Sequence, residues 1–115
     1  MLDGTTTVES LKSRVAEFIA RREWQKYHNP KDLAISLSLE SAELLEIFQW
    51  KGEQEVDREM PELRGRIEEE LADIAIYVLS FCIALDIDLS RIITDKVKRN
   101  EEKYPADVYR GKATL

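Results

Sequence analysis

The chain has 115 residues, 17 basic and 23 acidic, for a formal net charge of −6, which excludes nucleic-acid binding over a broad basic surface. Its length sets one domain, with a core over about residues 6–105, large enough to bury apolar side chains but small enough to gain from oligomerisation. A single cysteine, Cys82, rules out an internal disulfide, the apolar run Ile74 to Leu85 is too short to cross a bilayer, and no signal-peptide pattern opens the chain, so a cytoplasmic protein without membrane contact is expected.

With four Gly, three Pro and no alternating strand-like runs, the pattern predicts an all-α fold. Residues 1–5 read as a loose start. Thr6-Thr7-Val8-Glu9 matches a capping box, and Val8, Leu11, Val15, Phe18 and Ile19 then recur at helical spacing to about Arg22. A short segment with Trp24, Tyr27 and His28 ends at Asn29-Pro30, where Asn29 as cap and Pro30 at the first position open a second helix running to about Trp50. Lys51-Gly52 ends it, and Glu53 to Met60 reads as a polar connector. Pro61 opens a third helix to about Leu85, with Leu71, Ile74, Ala75, Val78 and Cys82 on its core stripe and Glu70, Asp73, Tyr77 and Ser80 on the neighbouring one. Asp88 caps a fourth helix that turns Leu89, Ile92, Ile93 and Val97 inward until Tyr104-Pro105 stops it, and a short polar tail follows.

Two acidic pairs stand out, Glu40 with Glu43 and Glu70 with Asp73. A spacing of three puts both carboxylates of a pair on one face of a helix. Spacing alone is weak evidence, because so acidic a chain yields about four or five such pairs by chance. Placement carries more weight. At about 100° per residue, Leu33, Leu37, Leu44, Ile47 and Phe48 all fall within about 80° of Glu40, so this carboxylate sits inside the apolar stripe of the second helix. A carboxylate there is costly unless it is paired, protonated or metal-bound. Four carboxylates from two neighbouring helices repel one another unless cations sit among them, and hard oxygen donors suit Mg²⁺, with Mn²⁺ as a substitute. A di-iron bundle would need Glu-x-x-His motifs, and the lone His28 follows Gln25 instead. Zinc is disfavoured by one His and one Cys.

Two further groups have a plain and a functional reading. Trp24, Tyr27 and His28 can pack a helix corner or stack on a nucleobase. Lys96, Asn100 and Lys103 recur on one flank of the fourth helix, as a wet face or as donors to phosphate oxygens.

The stretch Leu39-Glu40-Ser41-Ala42-Glu43-Leu44-Leu45-Glu46-Ile47-Phe48-Gln49-Trp50, followed by Glu69-Glu70-Leu71-Ala72-Asp73-Ile74-Ala75-Ile76-Tyr77, resembles the MazG-like all-α nucleotide pyrophosphohydrolases, nearest to their dCTP pyrophosphatase branch. Arg22 to His28 and Lys96 to Pro105 extend the resemblance over about residues 8–106. It implies a four-helix MazG-like bundle, completed as a homodimer or homotetramer. It further implies Mg²⁺-dependent hydrolysis of a nucleoside triphosphate between its α and β phosphates, in the house-cleaning of nucleotide pools, with dCTP or a modified deoxynucleotide as substrate. Carried over by position, Glu40, Glu43, Glu70 and Asp73 would hold the metal. Trp24, Tyr27, His28 and Trp50 would form the base and sugar pocket, and Tyr77, Lys96 and Asn100 would contact the nucleotide. Glu40 or Glu43 would take the proton of the attacking water, and Lys96 would steady the departing pyrophosphate. The branch's animal members carry a histidine where this chain has Val15. The rival readings are a helical interaction protein with a structural cation, and a related enzyme acting on another nucleotide such as dUTP.

Overall fold

The computed structural model describes Met1–Lys112, and these residues form an all-α protein with no strand among them. The helices are α1 (Val8–Arg21), α2 (Pro30–Phe48), α3 (Glu53–Leu85), α4 (Leu89–Lys103) and a one-turn α5 (Ala106–Tyr109), with short 3₁₀ turns at Leu2–Gly4 and Gln25–Tyr27. The expected loose start therefore holds a turn, and the expected polar tail folds into α5 before its last residues, 113–115, pass outside the described part.

Helix starts follow from caps, with one shift. Thr7, not Thr6, caps α1: its hydroxyl accepts the Ser10 N–H at 3.1 Å, and the Ser10 hydroxyl donates to the Thr7 carbonyl at 2.8 Å. The expected Thr6–Glu9 box is thus replaced by a Thr7–Ser10 pair one residue later. At α2 the expectation holds, with Asn29 Oδ1 accepting the Asp32 N–H at 2.9 Å and Pro30 in the first position, where a missing N–H costs nothing.

The largest difference from the sequence reading is at Pro61. Instead of opening the third helix, it lies inside α3, which begins at Glu53 and runs 33 residues. Glu53 and Glu55 put negative charge where the first amides are free. Val56, Met60 and Leu63 fall on one face and are half-buried or buried. Lys51 Nζ meets Glu59 Oε2 at 2.7 Å across the α2–α3 corner. Together these contacts offset the roughly 3 kcal/mol that an interior proline costs a helix.

Helix α3 is the spine. Helix α2 packs along it, α1 packs against its C-terminal half, and α4 has no comparable packing partner. Ile19 of α1, Leu33 and Ile47 of α2, and Leu63, Leu79 and Cys82 of α3 form the core. The buried face of α3 reads Leu63, Ile67, Glu70, Ile74, Tyr77 and Val78, whereas Leu71 and Ala75, expected inside, are exposed. Glu70 and Tyr77 thus lie in the packed stripe and not beside it. Ile92, Ile93 and Val97, expected to point inward, are also exposed, because among the described residues no helix packs extensively against α4. Among the described residues no helix is long and apolar enough to cross a membrane.

Candidate active site

Carboxylates meet where α2 and α3 run antiparallel. Glu40 and Glu43 from α2 and Glu70 from α3 each bring one carboxylate oxygen to within 4.8 Å of the others. Glu40 and Glu70 are half-buried, Glu43 is exposed, and Glu40 Oε2 and Glu70 Oε2 are buried with no hydrogen-bond partner. The ion pairs found among the described residues, such as Lys51–Glu59 and Arg64–Glu68, all lie elsewhere. Asp73, one turn beyond Glu70, is exposed and stands outside the close group, but its charge reaches it.

The electrostatics follow from that crowding. Burial, then the Glu43 carboxyl beside it, then the charges of Asp73 and Glu70 push the Glu40 carboxyl up from 4.5 to about 7. Glu70 is also raised, first by burial and then by Glu43 and Asp73, with a contact to Glu40 pulling the other way. Two buried oxygens without partners and several like charges need positive charge at their centre. The donors are hard carboxylate oxygens, so a hard divalent cation fits, held by Glu40, Glu43 and Glu70 with Asp73 at the edge.

Beside this centre lies a cleft of ≈ 200 Å³ lined by Trp24, Tyr27, His28, Asp32, Leu33, Ser36 and Tyr77. Its aromatic wall is set by the end of α1. Glu23 adopts a left-handed conformation (φ 54°), and the N–H of Trp24 returns to the Ile19 carbonyl at 3.1 Å, a helix stop that most often uses glycine. Trp24 then packs edge-on against Phe18, ring centres 5.7 Å apart. The 3₁₀ turn that follows is held by the Tyr27 N–H on the Trp24 carbonyl and the His28 N–H on the Gln25 carbonyl, and it presents both side chains to the cleft before Asn29 starts α2.

Of the residues singled out in the sequence, the structure brings together Glu40, Glu43 and Glu70 in one group, and Trp24, Tyr27, His28 and Tyr77 in the other. Trp50 lies just past α2, 87% exposed, and does not line the cleft. Lys96, Asn100 and Lys103 sit exposed on α4 and line neither group. Asp32 and Ser36 were not singled out, and Leu33 only as part of the apolar stripe, though the signal was present. Asp32, Ser36 and Glu40 follow at intervals of four along one face of α2.

The two groups are set apart by helix geometry. Ser36 precedes Glu40 by about 6 Å of helix rise and Asp32 by about 12 Å, while Tyr77 follows Glu70 by about 10 Å on α3. Along both helices the aromatic-lined cleft and the carboxylate centre thus lie about one to two turns apart. A larger open depression of ≈ 780 Å³, bordered by Thr7, Lys12, Ile83 and Asp88, lies away from the carboxylates, and the Lys12 ammonium there already donates to the Ile87 carbonyl at 2.8 Å.

A model of the MazG-like family matches residues 35–112. The chain is 36% identical over 109 residues to dCTP pyrophosphatase 1 of Rattus norvegicus, covering 93% of this chain and 64% of the relative. It is also 36% identical over 107 residues to dCTP pyrophosphatase 1 of Homo sapiens, covering 91% and 63%. The chain thus spans less than two thirds of the length of these relatives. A crystal structure of a pyrophosphatase from Archaeoglobus fulgidus superposes with a TM-score of 0.80 at 44% identity, covering 84% of this chain and 91% of that one.

Proposed function

The chain belongs to the MazG-like family, and from that premise we propose that it is a nucleotide pyrophosphohydrolase. In the proposed reaction, water adds to the α phosphorus of a nucleoside triphosphate and the bond from that phosphorus to the bridging oxygen breaks. The products are the monophosphate and pyrophosphate. One observation carries the reading: the carboxylate centre and the aromatic cleft lie about one to two helical turns apart along both α2 and α3, a span that lets one ligand place a flat ring in the cleft and phosphates at the carboxylates. The names of the relatives point to dCTP as substrate, and a modified deoxynucleotide is the alternative within the same class.

The residues divide the work. Glu40, Glu43 and Glu70, with Asp73 beside them, hold the divalent cation, and the all-oxygen donor set favours Mg²⁺. When bound, that ion supplies charge neutralisation for the triphosphate and Lewis-acid activation of the α-phosphate. Trp24, Tyr27 and His28 stack and border the base, and Tyr77 closes the cleft from α3. Glu43, the solvent-facing carboxylate of α2, accepts the proton of the attacking water and passes it to bulk solvent. Lys96 and Asn100 serve as phosphate donors, and Trp50 as a further wall of the pocket, in a homodimer or homotetramer. Exposed Ile35, Leu39, Leu45, Leu71 and Ile76 on the two long helices, with Ile93 and Val97 on α4, support such an assembly.

The test is pyrophosphate release with Mg²⁺ from a panel of canonical and modified nucleoside triphosphates, with Glu43→Gln as control. Release led by dCTP or its 5-substituted forms, and abolished in the control, is expected. If no member of the panel is hydrolysed, the reading is wrong.

A further inference from the structure

The cleft contains a carboxylate that the phosphate chemistry does not use. Asp32 lies on its wall in the first turn of α2, with Ser36 one turn on and Tyr77 contributed by α3. Asn29 holds Asp32 at two points: its Oδ1 accepts the Asp32 N–H at 2.9 Å, and its Nδ2 donates to Asp32 Oδ2 at 2.7 Å. The first contact is the helix cap. The second fixes the plane of the carboxylate and engages one of its oxygens, so the group enters the cleft as an oriented acceptor and not as a free-swinging charge.

An ionised carboxylate can only accept hydrogen bonds, so what it pairs with must donate. Cytosine and adenine present an exocyclic amine at the edge where uracil, thymine and guanine present a carbonyl oxygen. A carbonyl oxygen placed against Asp32 would leave two acceptors facing each other in a partly enclosed site, which is unfavourable even where stacking is equal. We infer that Asp32, held by Asn29, is a specificity-determining residue that selects nucleotides whose base carries an amino group at pyrimidine C4 or purine C6 over those carrying an oxo group there. This rests on the nucleotide reading above and deepens it. Ser36, whose hydroxyl can donate or accept, borders the same edge without imposing a choice. The aromatic walls of Trp24 and Tyr27 stack on any base and set affinity and not preference.

The experiment compares kcat/KM for dCTP, dATP and dUTP in the wild type, Asp32→Asn and Asp32→Ala, alongside calorimetric binding of dCMP and dUMP, which needs no turnover. In the wild type the amine-bearing substrates should lead dUTP, and dCTP against dATP then tells whether a pyrimidine or a purine fills the cleft. In both variants the dCTP-to-dUTP ratio should fall by about tenfold, the size expected for one lost specific hydrogen-bonded pair. Asp32→Asn keeps the shape of the side chain and leaves the Asn29 cap in place, so the ratio remains readable even if Asp32→Ala weakens α2. A merely structural role would lower turnover on all substrates and leave the ratio alone, and that outcome overturns the inference while the nucleotide reading stands. Equal wild-type use and binding of the amino and oxo bases would do the same. Failure of the wild type to bind or cleave any of these nucleotides would overturn both.

Discussion

Helix α3 treats its buried polar groups in opposite ways at two places. Near its C-terminal end Ser80 is 2% exposed, and its hydroxyl donates to the Ile76 carbonyl at 2.8 Å, among Leu79, Cys82 and Ile19. Two to three turns earlier Glu70 is half-buried on the same helix, with Oε2 unpartnered and two further carboxylates within 4.8 Å. The first region is satisfied and closes against α1. The second is left in deficit against α2. The same kind of packing thus serves holding in one place and binding in the other, and the difference lies in whether the polar atoms find partners inside the chain.

Changing the two regions should separate these roles. Glu70→Gln removes a charge from the carboxylate group while keeping its shape, so pyrophosphate release should fall by about a hundredfold or more. In chelator the same variant should melt above the wild type, because a repelling charge has gone. Loss of activity together with a lower melting temperature would break the comparison. At the other region, Leu79→Ala should cost about 2–4 kcal/mol in denaturant unfolding while kcat/KM per folded molecule stays near the wild-type value. A variant that unfolds no more easily would show that the α1–α3 contact does not carry stability.

A smaller effect comes from pH. The folded protein holds the Glu40 proton more tightly than the unfolded chain does, since its pKa is raised from 4.5 to about 7. The sign is therefore that metal-free stability falls as pH rises between those values and levels off above them. Melting in chelator should be higher near about pH 5 than near about pH 8, with a shallower slope in Glu40→Gln. Mg²⁺ should raise the melting temperature more at the higher pH, because the ion competes with protons for the same oxygens. A wild-type slope of the opposite sign would mean that the carboxylates are relieved without metal.

The acidic pairs and the long helices were legible because a three-residue spacing inside an apolar stripe leaves few harmless placements for Glu40. Three things were not. Pro61 reads locally as a helix start, and only the packing of Val56, Met60 and Leu63 with the Lys51–Glu59 pair, a tertiary effect, carries the helix through it. The outward positions of Leu71, Ile93 and Val97 could not be told from core positions, because periodicity reports that a face is apolar and not which surface covers it. In the site, Asp32 and Ser36 were passed over, although both lie in register with Glu40.

The tight corner between α2 and α3, four residues from Gln49 to Gly52 and clasped by Lys51 and Glu59, also bears on folding kinetics. It makes the two helices a local hairpin, so Glu40, Glu43 and Glu70 meet without a distant part of the chain being brought in. Low-separation contacts of this kind form early and quickly. Mutual repulsion of those carboxylates then acts against the nascent hairpin, and Mg²⁺ added during refolding should accelerate the step as well as stabilise its product.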